Sequence, residues 1–186
     1  MRWQMHPQMG DDLTQEGQIT IGGKAMLVPA MTISRTVLSE GDVLVLMVGI
    51  HQRGGNLIKT LQRVRLLSKA LMTAPHCPSF VFITTPTQHF RTTDGSGQYL
   101  AEIKEAGCMQ AVPANPLRDL ELQFIKSGMV DRIIDYGGMD KDLGMFHIGA
   151  DASYGGIDCS HYCMPGVPDW ISASLIDAVH DLQRQD

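Results

Sequence analysis

The sequence predicts an α/β protein built on a largely parallel sheet. Three observations lead there: a continuous apolar run at residues 43–48, a helix-periodic stretch directly after it, and a second β-rich run at residues 80–84 followed by more helical and strand segments. Strands that alternate with helices are expected to pair in parallel and to be covered on both faces. A strand covered on both faces reads as an unbroken apolar run rather than an alternating one.

Taken in order, residues 1–40 make a poorly defined N-terminal segment. Within it, Gln18-Ile19-Thr20-Ile21 and Ala25-Met26-Leu27-Val28 flank Gly22-Gly23 and predict a short hairpin. Residues 41–186 read as the main domain. After the strand at 43–48, Asn56 opens a helix whose Leu57, Leu61, Val64, Leu67 and Leu71 fall on one stripe, with Pro75 just past its end. Lys59, Arg63, Arg65 and Lys69 lie off that stripe, and such a run is read as a solvated helix surface rather than an anion-binding face. Residues 98–106 predict a weaker helix stopped by Gly107. Asn115-Pro116 is a strong helix start, a capping side chain followed by proline at the first helical position. Leu117, Leu120, Phe124 and Ile125 form its inner stripe, and Gly128 suits its end. Residues 130–134 predict another strand. A last helix begins near Pro168-Asp169 and buries Ile171, Leu175, Val179 and Leu182.

Residues 137–167 break the pattern: they hold seven glycines and show neither helical nor strand periodicity. Long loops in compact domains are commonly functional. This one concentrates Asp140, Asp142, His147, Asp151, Asp158, Cys159, His161 and Cys163. In an open α/β sheet, ligands bind where the strands' carboxyl ends run into loops, so the chemistry is expected here.

Composition excludes several classes. With 186 residues, 44% of them apolar, the chain is one ordinary globular domain rather than a disordered or fibrous one. A formal net charge of -5 and the lack of a dense Lys/Arg block argue against a nucleic-acid partner. The longest apolar run, residues 43–50, is far short of the ~20 residues that span a bilayer, and residues 1–6 carry no apolar signal core. Four cysteines are too few for a disulfide scaffold and enough for two bridges or one metal site.

Four constellations carry possible chemistry. Asp158-Cys159-Ser160-His161 places a carboxylate three residues before an imidazole, so the acid can hold Nδ1–H and leave Nε2 as a general base; the same spacing also arises by chance. Cys159, His161, Cys163 and the upstream His147 would suffice for tetrahedral zinc, although the spacing is not that of a knuckle or ribbon, and buried thiols or half-cystines explain the cysteines as well. Thr84-Thr85-Pro86-Thr87-Gln88-His89-Phe90 ends a strand, and His89 either projects over the sheet's end or bonds to backbone. Gly49-Ile50-His51-Gln52 ends the first strand. There Gly49 allows close approach to a ligand and an amide for an oxyanion hole, or simply serves a tight turn.

These pieces, in this order, resemble one family. Asp158-Cys159-Ser160-His161-Tyr162-Cys163-Met164-Pro165-Gly166-Val167-Pro168-Asp169 is similar to the C-terminal signature of the PC-esterase group, which includes the plant trichome-birefringence-like polysaccharide O-acetyltransferases. Residues 84–90 resemble that family's Thr-x-Ser-Pro-x-His-Phe stretch, with Thr85 in place of the serine. Residues 41–51 resemble its Asp-Val-Leu-Val…Thr-Gly-His strand, with Val48 in place of the threonine. The resemblance spans residues 41–184. It implies an SGNH-hydrolase-like three-layer α/β/α sandwich and a Ser-His-Asp acyl-enzyme mechanism with no metal or other cofactor. Asp158 and His161 would be its acid and base. Gly49, His51 and His89 would line the pocket for an acetyl donor and a carbohydrate acceptor, and the setting would be the Golgi or secretory pathway. Cys159 and Cys163 flank the base, so a bridge to Cys77 or Cys108 would brace the loop; of the three possible connectivities none is singled out. The family's Gly-Asp-Ser nucleophile block is not found in this chain. The expectation is therefore a C-terminal portion lacking the first strand. The alternatives are a non-catalytic carbohydrate-binding or interaction pseudoenzyme, and a small zinc-binding domain.

Overall fold

A computed structural model of the chain describes residues 3–4, 16–21, 24–29, 41–48, 50, 54–72, 78–99, 107–125, 128–149 and 157–184. In the N-terminal segment, β1 (Trp3–Gln4), β2 (Glu16–Ile21) and β3 (Lys24–Pro29) form an antiparallel sheet in that order. Ile21 pairs with Lys24, the register that a two-residue Gly-Gly connection dictates.

The main sheet consists of β4 (Val43–Met47), β5 (Ser79–Ile83) and β6 (Arg132–Ile134), in the order β4-β5-β6 and parallel throughout. Helix α1 (Gly54–Met72) connects β4 to β5, and α2 (Pro116–Phe124) precedes β6. Because side chains alternate across a strand, β5 feeds two cores. Phe80 and Phe82 pack with Leu57, Leu61 and Val64 of α1 and with Leu117 and Ile125 at α2. Val81 and Ile83 pack with Ile134 and with Val167, Ile171 and Leu182 of α4 (Val167–Gln183). Helices therefore cover both faces of a mixed α/β unit, as the alternating pattern predicts.

Local chemistry explains the element ends. The Asn115 side chain accepts the Arg118 N–H at 3.1 Å and caps α2, with Pro116 next in line. The Asp169 carboxylate accepts the Gly166 N–H at 2.6 Å and opens α4. Helix α1 starts two residues earlier than its first capping residue suggests. The side chains of Leu67 and Leu71 lie outside the described residues, as does most of the stretch expected as a helix at 98–106; Gln98 and Tyr99 are not helical.

Two expectations need correction. The apolar run of β4 is not buried on both faces, since Val45 is 37% and Met47 52% exposed. The core beneath α4 collects β5 and β6, and from β4 it reaches only Val43. The stretch at 137–167 is not one irregular loop. It contains α3 (Tyr136–Met139, begun just before it), a 3₁₀ turn (Gly144–Phe146) and an antiparallel pair, β7 (His147–Gly149) with β8 (Asp158–Tyr162). Strands of three to five residues are too short to show a period in the sequence.

The ends of β4, β5 and α2 meet at one proton. Thr85 Oγ1 lies 2.5 Å from the Val48 carbonyl and 2.5 Å from Glu121 Oε1, while the Thr85 N–H donates to Glu121 Oε2 at 2.6 Å. A hydroxyl has one proton to give: Thr85 donates it to Glu121 when the carboxylate is ionised, and to Val48 when Glu121 is protonated and donates to Thr85. Burial favours the protonated form, raising the Glu121 carboxyl from 4.5 to about 7 against the two Thr85 hydrogen bonds. The native state thus holds a proton that the unfolded chain has lost above pH ~4.5. Its contribution to stability is complete below that value and is lost as pH rises towards about 7. Urea denaturation across this window should show stability falling with pH in the wild type, and Glu121→Gln should flatten that part of the profile. Identical slopes in the two proteins would mean that Glu121 is ionised in the folded state.

Candidate active site

The Asp158–His161 pair sits on β8, not in a loop. In a regular strand, residues three apart point to opposite faces, so the two side chains meet only if the carboxylate curls along the chain. Asp158 does this: its Oδ1 accepts the N–H groups of Ser160 at 3.0 Å and His161 at 2.9 Å, an Asx-type turn. Its Oδ2 faces His161 Nδ1 at 2.8 Å. The Asp158 side chain is 7% exposed and the His161 side chain 60%. The buried partner orients the ring, and the ring presents itself to solvent. No hydrogen bond to His161 Nε2 occurs among the described residues. Burial alone would raise the Asp158 carboxyl, but the His161 and Ser160 backbone donors and the His161 ring outweigh it and hold the pKa below the ordinary carboxylate range. The acid therefore stays ionised beside the ring.

Residues 84–90 pack directly against this strand. The His89 N–H donates to the Cys159 carbonyl at 2.9 Å, Gln88 Nε2 donates to Ser160 Oγ at 2.7 Å, and the Tyr162 hydroxyl donates to Asp140 Oδ2 at 3.0 Å beside Thr87. Two of the three sequence segments singled out above are thus neighbours. The third reaches them through the Thr85–Val48 contact.

His89 itself does not face a pocket. It is fully buried, its Nε2 lies 2.9 Å from the Lys141 carbonyl, and its Nδ1 lies 2.7 Å from His147 Nε2, so neither ring nitrogen is left for a ligand. Gly49 and His51 lie outside the described residues.

The cysteines resolve into a bridge between Cys108 and Cys159, with Cα atoms 5.5 Å apart, and an exposed free thiol at Cys163. Cys77 lies outside the described residues. This pairing removes the zinc set proposed from spacing. Cys159 has no thiolate to offer, both nitrogens of His147 are hydrogen-bonded, and His161 Nδ1 belongs to Asp158. Among the described residues no group of three or more His, Cys, Asp or Glu is arranged to hold a metal.

Two structural residues at the site, Glu121 and Asp135, escaped the sequence reading, and the structure gives a third, Asp140, a structural place. Glu121 lies four positions after Leu117 on the inner stripe of α2, and a carboxylate on an apolar face was the available signal. Asp140, whose Oδ2 also accepts the Thr87 N–H at 2.9 Å, has its carboxyl raised to about 6 by burial, against its hydrogen bonds from Thr87 and Tyr162. Asp135 takes a two-pronged hydrogen bond from Arg118 at 2.8 and 2.5 Å, which draws its carboxyl below the usual range despite partial burial. Neither aspartate has a sequence spacing that announces its partner.

Comparison with protein-family models, with curated proteins and with solved structures finds no match for this chain. No described helix is long and apolar enough to cross a membrane.

The bridge closes a separation of 51 residues between the segment after Gly107 and the strand of the dyad. Cys108→Ser should lower the unfolding free energy by about 2–4 kcal/mol, read as a shift of the urea midpoint. An unshifted midpoint would mean that the unfolded chain is not restrained by this bridge.

Proposed function

We propose that the chain is the acid–base portion of a serine-type acyl-transfer enzyme, a carbohydrate O-acetyltransferase or acetylesterase of the SGNH-like PC-esterase kind. The observation that carries this reading is the dyad: an ionised, buried Asp158 2.8 Å from Nδ1 of a His161 ring that is open to solvent. The convergence of residues 84–90 and Val48 on the same end of the sheet supports it, since the resemblance rests on those segments together with 158–169.

In this mechanism His161 Nε2 takes the proton of an attacking hydroxyl as it adds to the acetyl carbonyl. Asp158 keeps the ring in the tautomer with hydrogen on Nδ1 and stabilises the imidazolium that forms. His161 then returns the proton to the leaving alkoxide, the acetyl group rests on the nucleophile as an ester, and a sugar hydroxyl or water accepts it in the reverse sequence. The Gly49 amide would serve the oxyanion, one of the two roles that the sequence leaves open for it.

One observation favours a second reading. Among the described residues no serine hydroxyl is hydrogen-bonded to His161, and Ser160 is engaged by Gln88. A carbohydrate-binding module that retains the dyad without turnover would look the same.

A fluorophosphonate probe separates the two, because it labels a serine only where a neighbouring base activates it. An adduct in the intact mass that is absent from His161→Ala would establish a working nucleophile within this chain, whereas no adduct on the folded chain fits an acid–base portion whose Gly-Asp-Ser block is not found here. Where an adduct forms, hydrolysis of an acetyl ester should fall about 10⁴-fold in Asp158→Asn, as expected when the base is held in the wrong tautomer. Esterase activity that survives His161→Ala would sink the proposal, and a folded chain that binds acetylated glycan without any adduct would establish the module.

A further inference from the structure

The buried imidazoles behind β8 do not balance as two neutral rings. His89 Nε2 lies 2.9 Å from the Lys141 carbonyl, and His147 Nδ1 lies 3.1 Å from the His161 carbonyl. A carbonyl oxygen only accepts, so each of these nitrogens carries a hydrogen. The remaining nitrogens, His89 Nδ1 and His147 Nε2, are 2.7 Å apart. In two neutral rings both would present lone pairs to each other. The contact needs one more hydrogen, which makes three for two rings and one positive charge for the pair.

We propose that His89 and His147 share a single proton and act as a buried imidazole–imidazolium brace, positioning the strand segment that carries His161. The brace ties together the chain after β5, the turn at Lys141 and the β7–β8 pair. Its outer N–H donates to the backbone oxygen of His161 itself. Gly144 packs so closely beside the His89 ring that a Cβ there would overlap its Cδ2 atom, so the cage is tight on that side as well.

The surrounding charges act on the pair in both directions. Asp142 attracts charge on His89 and Asp158 attracts it on His147, while a charged His161 repels it. The Tyr162 ring stacks on His147 at 4.0 Å, offering a π face to a cation, and its hydroxyl is bound to the buried Asp140. The Lys141 ammonium is exposed and only its carbonyl meets the pair. Burial lowers the basicity of each ring, that of His147 to about 4, and charge on His89 lowers it further. Burial opposes the first proton as well as a second; the first is held by the facing nitrogens 2.7 Å apart and by the backbone carbonyls that accept the outer N–H groups.

The shared proton stands independently of the enzymatic reading; only its positioning role rests on His161 being the base. The test is ¹⁵N NMR of the full chain with labelled histidine, between about pH 5 and 8, the range in which imidazoles titrate. At neutral pH, three of the four nitrogens of His89 and His147 should carry hydrogen, one of these hydrogens correlating with both rings. Where that hydrogen is lost on raising the pH, the His161 ring signals should shift in step. In His147→Phe, which retains a ring for Tyr162, this inflection should vanish from the His161 titration. One hydrogen on each buried ring throughout the range would overturn the proposal, and a His161 titration identical in both proteins would overturn the positioning role. If His147→Phe does not fold, the nitrogen count in the wild type still decides the shared proton. A failed fluorophosphonate reaction leaves this result untouched, so the two readings fail separately.

Discussion

Burying residues 84–90 as irregular chain is the constraint on which the rest of the site depends. Connecting segments usually run over the surface because their backbone groups need partners, yet every residue from 84 to 90 is buried. A buried backbone group left unpaired costs about 1–3 kcal/mol, so a stretch of this length without a ladder must be answered group by group. The structure supplies the answers from four directions: Ile134 for the Thr84 N–H, Glu121 and Asn115 for Thr85, Asp140 and Gly137 for Thr87, and Cys159 and Met109 for the backbone of His89. The polar side chains in this interior are the condition for the segment being there at all.

The same constraint sets the protonation of the interior. At one end of the segment Thr85 has one hydrogen and two acceptors, and the deficit is met where burial, which raises the Glu121 carboxyl to about 7, keeps it protonated. At the other end His89 and His147 lack a hydrogen between them, and the deficit is met by one charge. Burial works with the first solution and against the second, because it disfavours charge: the acid becomes neutral, while the imidazole pair has to be held charged by its hydrogen bonds. Asp158 shows the third outcome. It lies less deep than Glu121, and two backbone N–H groups and a ring nitrogen face it, so it remains ionised. Three acid–base groups thus take three states, each set by depth of burial together with the donors and acceptors around it.

How much of this was legible follows from the same physics. Long elements were readable because their patterns repeat: the stripe of α1, the Asn115-Pro116 start of α2, and the Gly-Gly connection between β2 and β3. The Asp158-x-x-His161 spacing named the two residues that touch. What the sequence concealed are contacts between distant positions that leave no period. The partner of Cys159 is 51 residues away, and Glu121 reaches Thr85 across 36. The β7–β8 pair hid because three to five residues cannot display an alternation, and its glycines suggested a loop. The exposure of Val45 and Met47 was hidden differently: an apolar run says what a strand tolerates, not whether a helix lies above it.

The dyad's two members have opposite exposure, and the supports around β8 explain why that can be stable. A base has to reach a reacting group outside the fold, so its ring cannot be enclosed, but an exposed ring loses orientation unless something behind it is fixed. Here the fixing is done on the backbone. The bridge to Cys108 holds the residue next to Asp158, His89 donates to the same residue's carbonyl, and His147 donates to the carbonyl of His161. With the main chain pinned at residues 159 and 161, the Asp158 carboxylate, held by the N–H groups of Ser160 and His161, has a defined place, and one hydrogen bond then suffices to orient the ring. Rigidity is concentrated behind the strand, where no substrate has to pass, and the open side is left to the chemistry.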